Sequence, residues 1–245
     1  MSFNNLGFGT IAPGQAQRWW YSFGGADDGA QYCMANPLNP GGVLQVNNQT
    51  KQRNNDGSVT YWVTITNIGS VTTNFNLSGG GLYNGFNGVG SGEIGPGQVQ
   101  RWWYSRGDQG AQYCMANPLN PGGVLQVNNQ TKQRNNDGSV TYWVTITNIG
   151  SVTTNFNLSG GGCINGFNGV GSGEIGPGQV QRWWYSRGDQ GAQYSMANPV
   201  SPGGVLQVNN QTKARNNDGS VTYWVTITDI GSVTTNVNLS GGGLQ

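Results

Sequence analysis

Strict alternation of apolar and polar positions dominates this chain. From Ser139 to Thr147 it reads Ser-Val-Thr-Tyr-Trp-Val-Thr-Ile-Thr. Successive side chains of an extended backbone point to opposite faces. Val140, Tyr142, Val144 and Ile146 therefore share one side, and Thr141, Trp143, Thr145 and Thr147 the other. β-Branched and aromatic residues fit a pleated surface, so the run predicts a strand. Its Val/Tyr/Val/Ile face is expected in the core. Its Thr/Trp face is expected to point outward or toward a neighbouring copy.

Asn148-Ile149-Gly150-Ser151 reads as a turn, and Val152 to Leu158 alternates again. These two runs are expected to pair as a hairpin. Upstream, Asn135-Asn136-Asp137-Gly138 carries Asp-Gly, the strongest short hairpin signal, and joins the Thr141 strand to an earlier one over Gly123–Thr131. Gln98–Ser105 and Gly110–Met115 are two further strand candidates. Asn117–Gly123, with two prolines and two glycines, reads as a loop. The sum is five or six strands in about 80 residues, with no helical period.

The same pattern occurs three times. Arg18-Trp19-Trp20-Tyr21 recurs from Arg101 and from Arg182, and Val59-Thr60-Tyr61-Trp62-Val63 recurs from Val140 and from Val221. Residues 83–163 and 164–244 differ at eight positions. The expected organisation is residues 1–82, 83–163 and 164–245, each one β repeat, with boundaries in the Gly-rich stretches Ser78–Gly81 and Gly88–Gly92. The fold class expected is all-β: three tandem, near-identical, small antiparallel β-sandwich-like repeats. Units this small bury a modest fraction of their surface, so contact between them is expected. Separate beads and a shared pseudo-threefold core both fit.

Composition narrows the functional classes. Charged residues are 9% of the 245 and the net charge is +1, so neither nucleic acid nor an anionic membrane is implied as a partner. No stretch approaches the ~20 apolar residues of a membrane span, so no membrane insertion is expected. Met1–Gly7 has no feature of a secretory leader. The expected location is the cytoplasm, or outside by a non-classical route, unless a leader has been removed. Cys33 and Cys114 are equivalent, Ser195 replaces them in the third copy, and Cys163 stands where the others have Leu82 and Leu244. No disulfide framework is expected.

Histidine is absent, and Thr10 stands where the later copies have Glu93 and Glu174. A carboxylate pair repeated in every copy is therefore missing a member, and no spacing suits zinc or calcium. No enzyme, metal or cofactor is expected. The distinctive feature is the aromatic block: Arg18, Trp19, Trp20 and Tyr21; Arg101, Trp102, Trp103 and Tyr104; Arg182, Trp183, Trp184 and Tyr185. Alternation places the first and third residues of each block on one face, offering a flat ring beside a guanidinium. Trp62, Trp143 and Trp224 on the Thr face are second candidate platforms.

An indole covers the C–H face of a pyranose while Arg, Asn and Gln bond its hydroxyls. The expected function is a multivalent, lectin-like carbohydrate-binding protein with one site per copy, its partners glycans. The alternative is a structural or adhesive protein that self-assembles, as a homo-oligomer or with protein partners, through exposed edge strands. Arg106-Gly107-Asp108 and Arg187-Gly188-Asp189 spell an integrin-type tripeptide, read as a turn. Asn48-Gln49-Thr50, Asn76-Leu77-Ser78 and their copies match the glycosylation sequon, expected to be unused. The amides of Gln126, Gln130 and Gln133 are expected to face solvent or a polar ligand.

Overall fold

A computed structural model describes residues 2–25, 27, 29–105, 107–108, 111–186, 188–189 and 191–244. The first copy forms Ser2–Ile11 (β1), Ala16–Tyr21 (β2), Gln31–Pro37 (β3), Val43–Arg53 (β4), Val59–Asn67 (β5) and Thr73–Gly81 (β6). The second forms Tyr83–Ile94 (β7), Val99–Tyr104 (β8), Gln112–Pro118 (β9), Val124–Arg134 (β10), Val140–Asn148 (β11) and Thr154–Gly162 (β12). The third forms Ile164–Ile175 (β13), Val180–Tyr185 (β14), Gln193–Pro199 (β15), Val205–Arg215 (β16), Val221–Asp229 (β17) and Thr235–Gly243 (β18). The fold is all-β, antiparallel and sandwich-like. β1–β6–β3, β7–β12–β9 and β13–β18–β15 are three-stranded sheets, and the other nine strands form one larger sheet.

The central strands follow their alternation. Val140, Tyr142, Val144 and Ile146 are buried, while Thr141, Trp143, Thr145 and Thr147 are half-exposed. The Asp-Gly turn closes the β10–β11 hairpin: Asn135 N–H donates to Ser139 O at 2.8 Å, and Gly138 takes φ +84°. That left-handed backbone suits glycine because it has no Cβ. Asp137 accepts the Ser139 N–H at 2.9 Å, the local role expected of Asp in a turn.

Three expectations are corrected. β11 and β12 are not a hairpin: β11 pairs with β10 and β8, and β12 with β7 and β9. Asn148 re-aims the chain, its amide donating to Ile94 O and Val152 O at 2.9 Å each and accepting from Gly150 N–H. The Gly-rich stretches are strand rather than loop: Ser78–Gly81 ends β6 and Gly88–Gly92 lies within β7. A Cβ at Gly92 would overlap the indole of Trp102, so the missing side chain makes room for the ring. Asn117 and Pro118 end β9 rather than belonging to the loop, with Pro118 at a strand terminus where no ladder donor is lost.

The long strands join the copies. β4 pairs with β5 along one edge and uses its other edge twice. Val43–Val46 meets β16, and Gln49–Gln52 meets β10. Gln130–Gln133 of β10 in turn meets β16. A bulge between Asn47 and Thr50, with Asn48 at φ +51°, separates the two halves of β4. The buried apolar residues of all three copies form one contiguous core. At its middle Tyr32, Tyr113 and Tyr194 meet edge to face, with ring centroids 5.2–5.3 Å apart.

Each junction also buries a lysine. Lys213 Nζ donates to Asp189 at 2.7 Å, to Gly191 O at 3.0 Å and to Asn36 Oδ1 of the first copy at 2.6 Å. Arg215 Nε donates to Pro37 O at 3.0 Å, and its Nη2 to Asp189 at 2.7 Å. Lys51 and Arg53 engage Asp27, Asn117 and Pro118 in the same way, as do Lys132 and Arg134 with Asp108, Asn198 and Pro199. A buried ammonium is tolerated because every proton finds an acceptor. Burial still pulls Lys132 and Lys213 below the ordinary lysine range.

The third copy carries one mismatch. Asp229 stands where Asn67 and Asn148 donate to two carbonyls. Its Oδ1 still accepts the Gly231 N–H at 2.8 Å, but its enclosed Oδ2 has no donor. A carboxyl group can donate there only when protonated. Burial raises its pKa, opposed by the Gly231 bond. The resulting stability is full below the unfolded value of ~3.9 and is lost as pH rises through the higher folded value. Asp229→Asn is expected to stabilise the protein by about 1–3 kcal/mol at pH 7, with the gain shrinking toward pH 4. Urea unfolding of both proteins across that range measures it, and equal stability at pH 7 would refute the assignment.

Candidate functional site

β2 and β5 build the outward surface of the first copy, and β8 with β11 and β14 with β17 those of the second and third. The register of β2 on β5 sets Trp20 opposite Trp62 and Arg18 opposite Thr64. The Arg18 guanidinium lies 4.3 Å from the Trp62 ring centre, and Arg101 and Arg182 lie 4.4 Å from Trp143 and Trp224. Trp62 is pinned from the other side, its Nε1 donating to Gln52 Oε1 at 3.1 Å, and Trp143 is held likewise by Gln133. Trp20, Trp103 and Trp184 are the open rings, 61%, 58% and 61% exposed. Partial burial lowers the Arg101 pKa from its ordinary value.

The other half of each block points inward. Trp19 Nε1 donates to Gln17 Oε1 at 3.0 Å, and its ring meets Phe75 edge-on at 5.1 Å. Trp102 and Trp183 hold the matching positions, half-buried against the core. Tyr21 is 2% exposed and stacks on Tyr61 at 5.3 Å. Tyr104 and Tyr185 stack in the same way on Tyr142 and Tyr223. The structure thus brings Arg18, Trp20 and Trp62 together on one surface and separates them from Trp19 and Tyr21. It does the same with Arg101, Trp103 and Trp143, and with Arg182, Trp184 and Trp224. Chemically each surface offers a flat ring, a fixed guanidinium and neighbouring hydroxyls and amides, suited to a polar ligand with an apolar face.

Other sequence features fall elsewhere. Gln130 does not face solvent: it is buried and donates to Cys114 O at 2.8 Å, because the β10 bulge turns it inward. Cys33 and Cys114 are buried free thiols whose pKa values are driven upward by burial, and Cys163 is pushed up to about 12. Asn48 is exposed at its bulge, whereas Asn76 is buried. The Arg-Gly-Asp tripeptides lie partly outside the described residues, at Arg106 and Arg187. Among the described residues no three His, Cys, Asp or Glu side chains gather as metal ligands, and no helix is long and apolar enough to cross a membrane.

Sequence reasoning missed the spaces between copies. One, of about 530 Å³, lies between the third and first copies. Another, of about 290 Å³, lies between the first and second. The available signal was charge at a core-facing position. Lys51, Lys132 and Lys213 sit opposite buried tyrosines, each 24 residues after an aspartate. No protein-family model, curated protein or solved structure matches the chain.

The two indoles of a block should separate cleanly on mutation. Trp102→Ala is expected to cost about 3–5 kcal/mol by opening a cavity against Phe156, and Trp103→Ala about 1 kcal/mol or less. Thermal denaturation of the two variants decides this, and equal losses would show that both rings are core.

Burial opposes ionisation of Asp189, but the Lys213 bond and charge, the Gly191 N–H and Arg215 together carry its pKa below normal. Its contribution is therefore present above the unfolded value of ~3.9 and lost as pH falls through the folded one. Asp189→Asn is expected to destabilise at pH 7 by about 3 kcal/mol or less, discounted for the partly exposed carboxylate. The gap should close in strong acid. An acid titration followed by circular dichroism reads it.

Proposed function

We propose that the chain is a multivalent saccharide-binding protein, with three copies of one β unit (residues 1–82, 83–163 and 164–245) gathered about a threefold pseudo-axis. The arrangement is supported by the long strands, each of which pairs with both of the others, and by the edge-to-face tyrosine trio between them. The observation that carries the function is the open indole of Trp20, Trp103 and Trp184. Each stands beside a second tryptophan already occupied by a guanidinium. An exposed aromatic this large has a cost in water that a pyranose face would relieve.

Arg18, Arg101 and Arg182 are read as hydroxyl donors that also fix the neighbouring ring. Trp62, Trp143 and Trp224 serve as the supporting wall. The reading is one of recognition without catalysis. Repetition gives it a purpose, because single sugar sites are weak and linked sites gain from effective concentration.

A structural or adhesive role is the second reading. β1 ends a sheet, and Leu6 and Phe8 on it are exposed. Such an edge can pair with another chain. Light scattering separates the two: a monodisperse small species disfavours assembly.

A glycan array with the intact chain is expected to show binding, and erythrocyte agglutination to follow from multivalency. Trp20→Ala, Trp103→Ala and Trp184→Ala together are expected to lower array signal at least about tenfold, roughly 1.4 kcal/mol in apparent affinity. The thermal midpoint should move little. An unaffected signal, or a folded parent that binds no glycan, would sink the reading.

A further inference from the structure

We infer that the clefts between copies form a second set of saccharide sites, separate from the indole surfaces. The ligand class rests on the reading above; the location does not.

The cleft between the third and first copies is lined by Asn4, Asn36, Leu38 and Asn76 on one side and by Asp189 and Arg215 on the other. Its volume of about 530 Å³ lies within the ~300–1,000 Å³ of small-molecule sites. The floor is a chain of amides that fix one another. Lys213 Nζ donates to Asn36 Oδ1 at 2.6 Å, Asn36 Nδ2 to Asn76 Oδ1 at 2.8 Å, and Asn76 Nδ2 to Asn5 Oδ1 at 2.8 Å. These groups have lost their rotamer freedom in folding, so a ligand need not order them.

The wall carries a charged acceptor with a lone pair to spare. Asp189 Oδ1 accepts from Lys213 and, at 3.3 Å, from the Gly191 N–H, and Oδ2 accepts from Arg215, yet the side chain is 38% exposed. A carboxylate offers about four acceptor positions. Held rigid at the cleft edge, the remaining position of Asp189 can receive one hydroxyl, while Arg215 and Asn4 donate to ring or neighbouring oxygens. Leu38, exposed on the rim, supplies apolar contact for a C–H face. The carboxylate is already matched by cations, and the floor is neutral amide. A hydroxyl-rich neutral ligand therefore fits better than a phosphate or a lipid tail.

The components recur at every junction. Asp27 and Asp108 match Asp189, Arg53 and Arg134 match Arg215, and Leu119 and Val200 hold the place of Leu38. Asp27 and Asn87 line the cleft between the first and second copies, which is smaller at about 290 Å³. None of the eight differences between the second and third copies touches an Asp, Lys, Arg or Asn of this set apart from the rim residue Leu119/Val200.

The test is an amide chemical-shift titration of the full ¹⁵N-labelled chain with the methyl glycosides of glucose, galactose, mannose and N-acetylglucosamine. Two variants accompany it: Trp20→Ala/Trp103→Ala/Trp184→Ala, which removes the open rings, and Leu38→Trp/Leu119→Trp/Val200→Trp, which fills the third–first cleft and places a bulky ring at the matching position of the other junctions. Leu38→Trp alone closes the larger cleft and covers the case in which the triple filling does not fold. The inference expects saturable shifts at Asn36, Gly191 and their neighbours that persist without the rings. Filling should weaken them at least about tenfold. Shifts confined to the strand pairs β2/β5, β8/β11 and β14/β17 that vanish with the rings would overturn the clefts and leave the indole reading intact. Cleft shifts unmoved by filling would overturn the site as drawn. No shifts with any of the four glycosides would overturn both.

Discussion

Every interior strand must satisfy the hydrogen-bonding groups on both of its edges, and β4 finds only one full-length partner in its own copy. β5 satisfies one edge; the other is divided between β16 and β10. An eleven-residue strand with a free edge would leave a row of unpaired N–H and C=O groups open to any chain. Closing those edges on one another removes the hazard within a single polypeptide. The bulge at Asn47–Thr50 makes the closure feasible, because a straight strand could not serve two partners lying in different directions. Trp20, Trp62 and Arg18 inherit their orientation from this arrangement, since β2 hangs on β5 and β5 on β4.

The junction lysines add specificity to that backbone closure. Lys51, Lys132 and Lys213 are fully enclosed, each reaching an aspartate of its own copy and an asparagine of the next. Such groups add little net stability compared with well-packed apolar residues, but losing one partner is costly. A slip in register between copies would strand an ammonium without acceptors. The pairing of the long strands is thereby fixed at one register, where Val/Gln/Asn alternation alone would tolerate several.

Legibility in the sequence followed a physical division. Where one face of a strand is buried, as for Val140–Ile146, period-two alternation reported both the element and its inward side. The Asp-Gly hairpin was legible because its turn chemistry is local. The edge strand Tyr83–Ile94 was read as a Gly-rich boundary because glycine carries no pattern. There its role is to clear space for an indole that arrives from another sheet, which no local signal encodes. The β11–β12 misreading has the same origin: Asn148 bonds Ile94 O, more than fifty residues away, and that contact decides which sheet the chain enters. Within the aromatic block, alternation separated Arg18 and Trp20 from Trp19 and Tyr21 but left open which pair is outward. Only packing against Phe75 and Tyr61 resolves that.

The positions at which the copies differ bear on how equal their surfaces are. Cys114 becomes Ser195, and the hydroxyl finds Tyr185 Oη at 2.5 Å, so a buried polar atom gains a partner at a site that tolerated a thiol. Phe156 becomes Val237, removing the ring against which Trp102 packs edge-on in the second copy. Gln133 becomes Ala214, and the amide that accepts the indole N–H of Trp143 has no counterpart for Trp224. In the third copy Trp224 lies 6.3 Å from Trp184, ring centre to ring centre. One of these changes, Gln133 to Ala214, thus loosens the setting of the outward indole pair and the other, Phe156 to Val237, that of the inward Trp183, while the guanidinium stack and the junction ion pairs stay in place. Equal chemistry at the surface does not make equal rigidity, and rigidity governs how much of a contact survives as affinity. On that physical ground, under the proposed saccharide-binding role, the third surface should hold a ligand less firmly than the second, although its outward Arg and Trp residues are the same.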